Sequence, residues 1–200
     1  MANKRPRMVV IAGPSGSGES SFFSVTDYEA AGFNVDDRCA ELNQGSYRRI
    51  SPEIRVQAQR ECQELIEACT RDLRSFAVET TLRTDISIQQ AKRAKAAGFR
   101  LEMVFVATDN VDENVLRVAR RGIHGGHSAP EPRLREIYRR SLENLPGAIR
   151  IFDEVALYDS SAFEQAPRLV ARFLNGKVVS QSGPLPPWCL SGALRELFGE

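Results

Sequence analysis

At 200 residues, with 42% apolar and 26% charged positions, the chain has the size and balance of one ordinary globular domain, so a single folded domain is expected over these residues and a disordered or multidomain chain is not. Lys and Arg number 27 against 26 Asp and Glu, a formal charge of +1, so no global field draws the chain to nucleic acid or an anionic membrane, and neither is expected as a partner. The apolar stretch at residues 8–12, which no other run exceeds, is far short of the roughly 20 residues of a membrane span, and the polar residues 2–7 do not open a secretory signal, so a cytoplasmic protein is expected.

Residues 7–12 are a short apolar, β-branched run ending at a Gly-rich turn, which predicts a buried strand feeding a helix. Residues 32–35 read as a second, short strand ending in Asp36 and Asp37. Ser51 then Pro52 match the N-cap and first-position preferences, and Ile54, Ala58, Cys62, Leu65, Cys69 and Leu73 recur at steps of three and four, so a long amphipathic helix is predicted over 51–74. Residues 75–78 form a third strand, which again terminates in a carboxylate, Glu79. A helix over 85–97 stops at Gly98, and residues 101–107 are the strongest strand of the chain. Residues 111–121 read as a helix, 122–129 as a break, and a helix led by Pro130 runs to Leu145. Residues 155–158 and 168–173 read as closing strands, with Asn175-Gly176 as a hairpin turn before 177–179. The tail, 181–200, holds three prolines and the only Trp and is expected to dock as a terminal helix.

This alternation predicts an α/β fold over 1–200, with its core at about 7–180 and a mainly parallel sheet covered by helices on both faces. Such sheets bind ligands at the carboxyl ends of their strands. Four cysteines show no CxxC pair and only two histidines exist, which disfavours a zinc site. Cys62 and Cys69 fall on one helix face about 10 Å apart, too far for a disulfide, and read as core thiols.

Gly13-Pro14-Ser15-Gly16-Ser17-Gly18-Glu19-Ser20 fits the phosphate-binding loop GxxxxGK[ST] at every fixed position but one, because Glu19 stands in place of the Lys. A strand precedes it, a helix is predicted after it, and its glycines let successive N–H groups point at a phosphate. The alternative is a structural Gly-rich turn. A carboxylate about 4 Å from a phosphate charge repels it by about 4 kcal/mol at an effective dielectric near 20, where a Lys would attract it. Affinity and transition-state stabilisation should therefore fall by several powers of ten. The substitution reads as a silencing of catalysis, introduced or natural, unless another cation takes the role or Glu19 swings out.

Asn34-Val35-Asp36-Asp37 and Glu79-Thr80-Thr81-Leu82-Arg83 follow short strands whose ends the parallel sheet brings to the rim of the loop. A carboxylate there, Asp36 or Asp37, can accept the proton of an attacking hydroxyl while Ser20 holds Mg²⁺. The competing reading has one of them cap the next helix. Arg117 and Arg121 share a helix face at i,i+4, and the Gly-broken segment after them suits a lid whose arginines close over transferring phosphates, against the plainer account of a solvated basic face. His124 and His127 have no nearby metal-binding partner and read as loop hydrogen-bonders.

With these motifs in order, the chain resembles the zeta-toxin family of P-loop kinases, in its shorter stand-alone branch. The matching segments are residues 9–20, 33–38, 76–82, 117–127 with its Gly-Gly-His, and 138–145. The resemblance implies a three-layer P-loop kinase fold and a kinase that uses ATP or GTP with Mg²⁺ to phosphorylate the sugar 3′-hydroxyl of UDP-N-acetylglucosamine. It implies Asp36 as general base and Gly13, Ser15, Gly16, Ser17, Gly18, Glu19 and Ser20 around the nucleotide phosphates. Asn34, Glu79, Thr80, Thr81 and Arg83 would contact the sugar nucleotide, and Arg117 or Arg121 with His127 would sit near the phosphates. It also implies a separate antitoxin partner. Glu19 departs from the family pattern. The alternatives are a kinase of another small-molecule or nucleoside acceptor and a non-catalytic nucleotide-binding module.

Overall fold

The computed structural model describes residues 5–123, 126, 128–162 and 165–199. Among these, the apolar runs form seven strands: β1 (Arg7–Ala12), β2 (Ala31–Phe33), β3 (Phe76–Thr80), β4 (Arg100–Ala107), β5 (Glu154–Asp159), β6 (Arg168–Leu174) and β7 (Lys177–Gln181). They make one sheet in the order β2-β3-β1-β4-β5-β6-β7. The pairs from β2 to β5 are parallel, whereas β6 and β7 are joined through Asn175-Gly176 and pair antiparallel.

Between the strands lie α1 (Glu19–Phe22), α2 (Val35–Leu42), α3 (Pro52–Arg71), α4 (Ile86–Ala96), α5 (Val111–Ile123) and α6 (Glu131–Ile149), with α7 (Gly192–Glu196) in the tail. Strand periodicity divides β1 between two cores. Met8, Val10 and Ala12 join the larger one, with Ile66 and Cys69 of α3, Ile88, Ala91 and Ala94 of α4 and Leu145, Ala148 and Ile149 of α6. Val9 and Ile11 face the smaller one, with Ala77 and Val25 and with Phe23 and Tyr28 packed on it. Each large side chain so buried contributes about 1.5–3 kcal/mol. β1 is thereby fixed at the centre of the sheet, and the loop leaving it at the middle of the carboxyl edge.

Several elements differ from the sequence expectation. The helix after the Gly-rich loop is a single turn: Phe23 is already extended, and Ser24 with Asp27 forms a capping box that starts a separate 3-10 turn at Val25–Tyr28. α6 runs four residues past Leu145, through Pro146, because Ala148 and Ile149 are fully buried and that packing outweighs the lost backbone bond. The tail holds a 3-10 turn, Pro187–Leu190, and the short α7, anchored by buried Trp188 and Leu194. All four cysteines are free, with Cys69 in the core and Cys62 half-buried. No helix among the described residues is long and apolar enough to cross a membrane.

Candidate functional site

The loop from Gly13 to Ser20 leaves β1 at the carboxyl edge and is tied to β3 by the Gly13 N–H, which donates to the Thr80 carbonyl at 3.3 Å. Gly16 and Gly18 take φ of 90° and 86°, left-handed values that glycine adopts without strain. A Cβ on Gly16 would stand 2.5 Å from the Asn114 carbonyl oxygen, so only glycine lets the loop pack on α5. Among the described residues, no acceptor meets the backbone N–H groups of Ser15, Gly16 and Gly18. Unpaired N–H groups on a glycine-bent loop are what an anion site requires.

Glu19 is 8% exposed. Its carboxylate turns back on the loop, accepting from the Ser17 hydroxyl at 2.8 Å and from its own N–H. Burial, then the nearby Glu79, push its pKa up to about 7, against the lowering effect of those two hydrogen bonds and of Arg121. The side chain at the Lys position therefore stays with the loop and carries about half a negative charge at neutral pH.

Glu79, at the end of β3, joins the neighbouring segments. Its carboxylate accepts from the Ser20 hydroxyl at 2.8 Å and from Asn34 Nδ2 at 2.8 Å. Burial raises its pKa, the Ser20 hydrogen bond lowers it, and Asp36 and Asp37 raise it further. Asn34 is the N-cap of α2, its Oδ1 accepting from the N–H groups of Asp36 and Asp37. The two aspartates thus lie inside the first turn and neither is the cap. Asp37 accepts from the Tyr47 hydroxyl at 2.7 Å, which pushes the Tyr47 pKa up to about 12, whereas Asp36 faces Arg55 across 3.6 Å.

The other expected residues divide by environment. Thr80 uses its hydroxyl to accept from the Leu82 N–H and from Ser87, while Thr81 Oγ1 has no such partner among the described residues. Arg83 borders a cavity of about 410 Å³ between the segment after β3 and α6, where Arg140, Glu136 and Asn144 also line the wall. Arg121 is exposed, and its charge acts on both Glu19 and Glu79. Arg117 points the other way: it pairs with Glu113 at 3.3 Å and donates to the Ser160 carbonyl at 2.8 Å, and the Ser160 hydroxyl in turn donates to the Ser17 carbonyl at 2.5 Å. His127 and His124 lie outside the described residues.

Sequence reasoning missed Ser160 and Asn114, both buried behind the loop, and residues 43–50, where Tyr47 reaches Asp37 and Arg48 donates to the Ile123 carbonyl at 2.9 Å. Asn114 was visible as a polar residue one helical turn from Val118 on the buried face of α5. Ser160 follows β5 at the carboxyl edge, where functional groups gather. The segment 43–50 carries no periodicity to mark it.

Magnesium fits this arrangement. Ser20 Oγ and the Glu79 carboxylate are oxygen donors side by side at the rim of the Gly-rich loop, and Mg²⁺ takes one or two such ligands with phosphates and waters completing its shell. Among the described residues, no group of three His, Cys, Asp or Glu forms a self-sufficient metal site.

Comparison with known proteins returns no match among curated proteins. Among solved structures, a chain of the PezAT chromosomal toxin-antitoxin system of the human pathogen Streptococcus pneumoniae is 18% identical with a TM-score of 0.56, covering 84% of this chain and 72% of that one. A chain of the AvrRxo1-ORF1:AvrRxo1-ORF2 complex with ATP is 15% identical with a TM-score of 0.68, and the match covers 98% of this chain but 63% of that one. A chain of the Pnkp1/Rnl/Hen1 RNA repair complex is 19% identical with a TM-score of 0.55, covering 74% and 48%. At these identities the likeness concerns fold, and the fold is the three-layer P-loop kinase arrangement. The sequence model of the Zeta toxin family matches residues 1–161, a span that includes the Gly-rich loop, the Asn34 to Asp37 box, Glu79 and α5; the chain belongs to the Zeta toxin family.

Proposed function

We propose that the chain is a kinase that transfers the γ-phosphate of ATP or GTP to the sugar 3′-hydroxyl of UDP-N-acetylglucosamine, weakened in this chain by Glu19. Family membership supports a phosphotransferase. The observation that carries the rest is the bridge made by Glu79, whose carboxylate holds Ser20 of the phosphate loop and Asn34 of the acidic box at 2.8 Å each. Donor and acceptor segments are thereby locked side by side.

In this reading the N–H groups of Ser15, Gly16 and Gly18 bind the terminal phosphates, and Gly13 and Ser17 shape the loop. Ser20 helps hold Mg²⁺, which when bound neutralises charge between the phosphates. Asp36 takes the proton of the attacking hydroxyl. Among the described residues its carboxylate meets the Arg55 guanidinium at 3.6 Å and accepts no side-chain hydrogen bond, whereas Asp37 is engaged by Tyr47. Asn34 orients Glu79, and Glu79 with Thr81 contacts the acceptor, Thr80 bracing that turn. Arg83 and the cavity beside it give the remainder of the acceptor room. Arg121 stabilises the transferring phosphate, and Arg117 braces the loop through Ser160; His127 is assigned to the phosphates on the resemblance alone. The solved structure with ATP supports a nucleotide, and the likeness to a chain of a toxin-antitoxin system supports a separate antitoxin partner.

The Glu19 carboxylate folded onto the loop favours one second reading, a module that binds nucleotide without turnover. A panel of sugar nucleotides, nucleosides and small alcohols, scored by labelled phosphate from γ-labelled ATP, separates these. The proposal expects incorporation into UDP-N-acetylglucosamine by the Glu19→Lys protein. Incorporation into another acceptor alone would replace the substrate, and binding without incorporation anywhere would favour the module.

A further inference from the structure

The Pro14 carbonyl is buried behind the phosphate loop, and buried carbonyls need donors. The Ser17 N–H donates to it at 3.0 Å, closing the turn of the loop, and the second donor is Asn114 of α5, 1% exposed. Its Nδ2 donates to the Ser15 carbonyl at 3.1 Å and, at the longer distance of 3.5 Å, to the Pro14 carbonyl. Two carbonyls can only accept, so the amide edge facing them has to be the nitrogen, and Oδ1 faces the Thr108 hydroxyl. The single proton of that hydroxyl serves either Asn114 Oδ1 or the Asn110 carbonyl at 3.1 Å. The Thr108 backbone carbonyl is itself held by the Tyr138 hydroxyl at 2.6 Å.

Peptide planarity turns this grip into an aiming device. In a trans peptide the C=O and the following N–H point in opposite directions. Pinning the Ser15 carbonyl toward α5 therefore aims the Gly16 N–H away from α5, the Pro14 carbonyl, shared between the Ser17 N–H and Asn114, sets the Ser15 N–H, and neither N–H has an internal acceptor among the described residues. Gly16 lies against the Asn114 backbone, so one residue of α5 contacts three consecutive loop positions. We infer that Asn114 is the positioning residue of the phosphate cradle, orienting the Ser15 and Gly16 N–H groups toward the phosphates of a bound nucleotide. The inference rests on the nucleotide-binding reading of the loop.

The test uses Asn114→Leu, Asn114→Asp, Thr108→Val and Thr108→Ser, each in the full chain carrying Glu19→Lys, with ATP and inorganic tripolyphosphate as probes. The Asn114 variants should bind both probes at least about tenfold more weakly, as loss of about 1.4 kcal/mol from a buried hydrogen-bond pair implies, with the KM for the acceptor unchanged. Thr108→Val should weaken binding several-fold, and Thr108→Ser, which keeps the hydroxyl, should restore it. Unchanged affinity in the Asn114 variants, or Thr108→Ser failing alongside Thr108→Val, overturns the inference. If the Glu19→Lys parent binds neither probe, the nucleotide reading fails instead, and ¹⁵N relaxation still judges Asn114. Order parameters at Ser15 and Gly16 should drop from about 0.85 to below about 0.6 in Asn114→Leu with those of β1 and β4 unmoved, and no change there overturns it.

Discussion

Replacing Glu19 by Gln and by Lys separates two effects of its carboxylate, and the structure sets their size. With its pKa pushed to about 7, half of the molecules already carry a proton there at neutral pH. A phosphate ligand that selects the protonated form then loses only a factor of about two, or ~0.4 kcal/mol, at pH 7 and about tenfold more for each further pH unit. Repulsion between fixed charges about 4 Å apart is about 4 kcal/mol at an effective dielectric near 20, so uptake of a proton is the smaller cost up to about pH 10. Titration calorimetry with Mg²⁺ and ATP from pH 5.5 to 9 on the unaltered chain, Glu19→Gln and Glu19→Lys reads this directly. The ratio of Gln to unaltered affinity, which cancels the titration of ATP itself, should be near one at pH 5.5, about two at pH 7 and about a hundred at pH 9. Glu19→Lys should exceed Glu19→Gln throughout, because it adds attraction. A ratio independent of pH, or unaltered protein matching Glu19→Lys, would refute the placement of Glu19 in the cradle.

The same carboxyl should govern stability. Its folded pKa lies above the ordinary 4.5, so between pH 4.5 and 7 the unfolded chain ionises first and stability falls as pH rises, by about 3 kcal/mol in all. Glu19→Gln should leave Tm unchanged at pH 4 and raise it by about 6–12 °C at pH 8, measured by calorimetry; an equal gain at both pH values would contradict this. In the Glu19→Lys background, Asp36→Asn should lower phosphate transfer by about 10²–10⁴-fold with ATP affinity intact, and Asp37→Asn by less than about tenfold; a reversed order in steady-state rates would move the base to Asp37. Gly16→Ala puts a Cβ against the Asn114 carbonyl at a φ of 90°, and should cost about 2 kcal/mol, a Tm drop of about 4–8 °C, together with ATP binding.

Much of this was legible because it is local. The five-residue apolar run before Gly13, the Ser51-Pro52 start of α3 and the Asn175-Gly176 turn each encode their element through sterics or capping, and all three stand where the sequence puts them. The Glu79 bridge was half legible: strand ends bring acids to one edge, but the hydrogen bonds that join Glu79 to Ser20 and Asn34 depend on the register Ile11 to Glu79 between β1 and β3. Asn34 illustrates the limit in the other direction. Read as part of a strand, it is the cap of α2, since its short amide can satisfy two N–H groups of the first turn only when the chain bends there. Arg117 and Arg121 share a helix face, yet one holds Ser160 and the other acts on Glu19 and Glu79. The difference comes from what the sheet places under each, which no helical periodicity encodes.

The central claim, a phosphate cradle facing an acceptor alcohol across Glu79, is tested most directly by ³¹P NMR of the Glu19→Lys protein with ATP, Mg²⁺ and UDP-N-acetylglucosamine. A new phosphomonoester signal on the sugar, growing as the γ-phosphate signal disappears and absent when Asp36→Asn is added, is the predicted result. Decay of ATP to ADP and free phosphate with no sugar phosphomonoester, or no loss of ATP over a wide range of acceptor concentration, would contradict it.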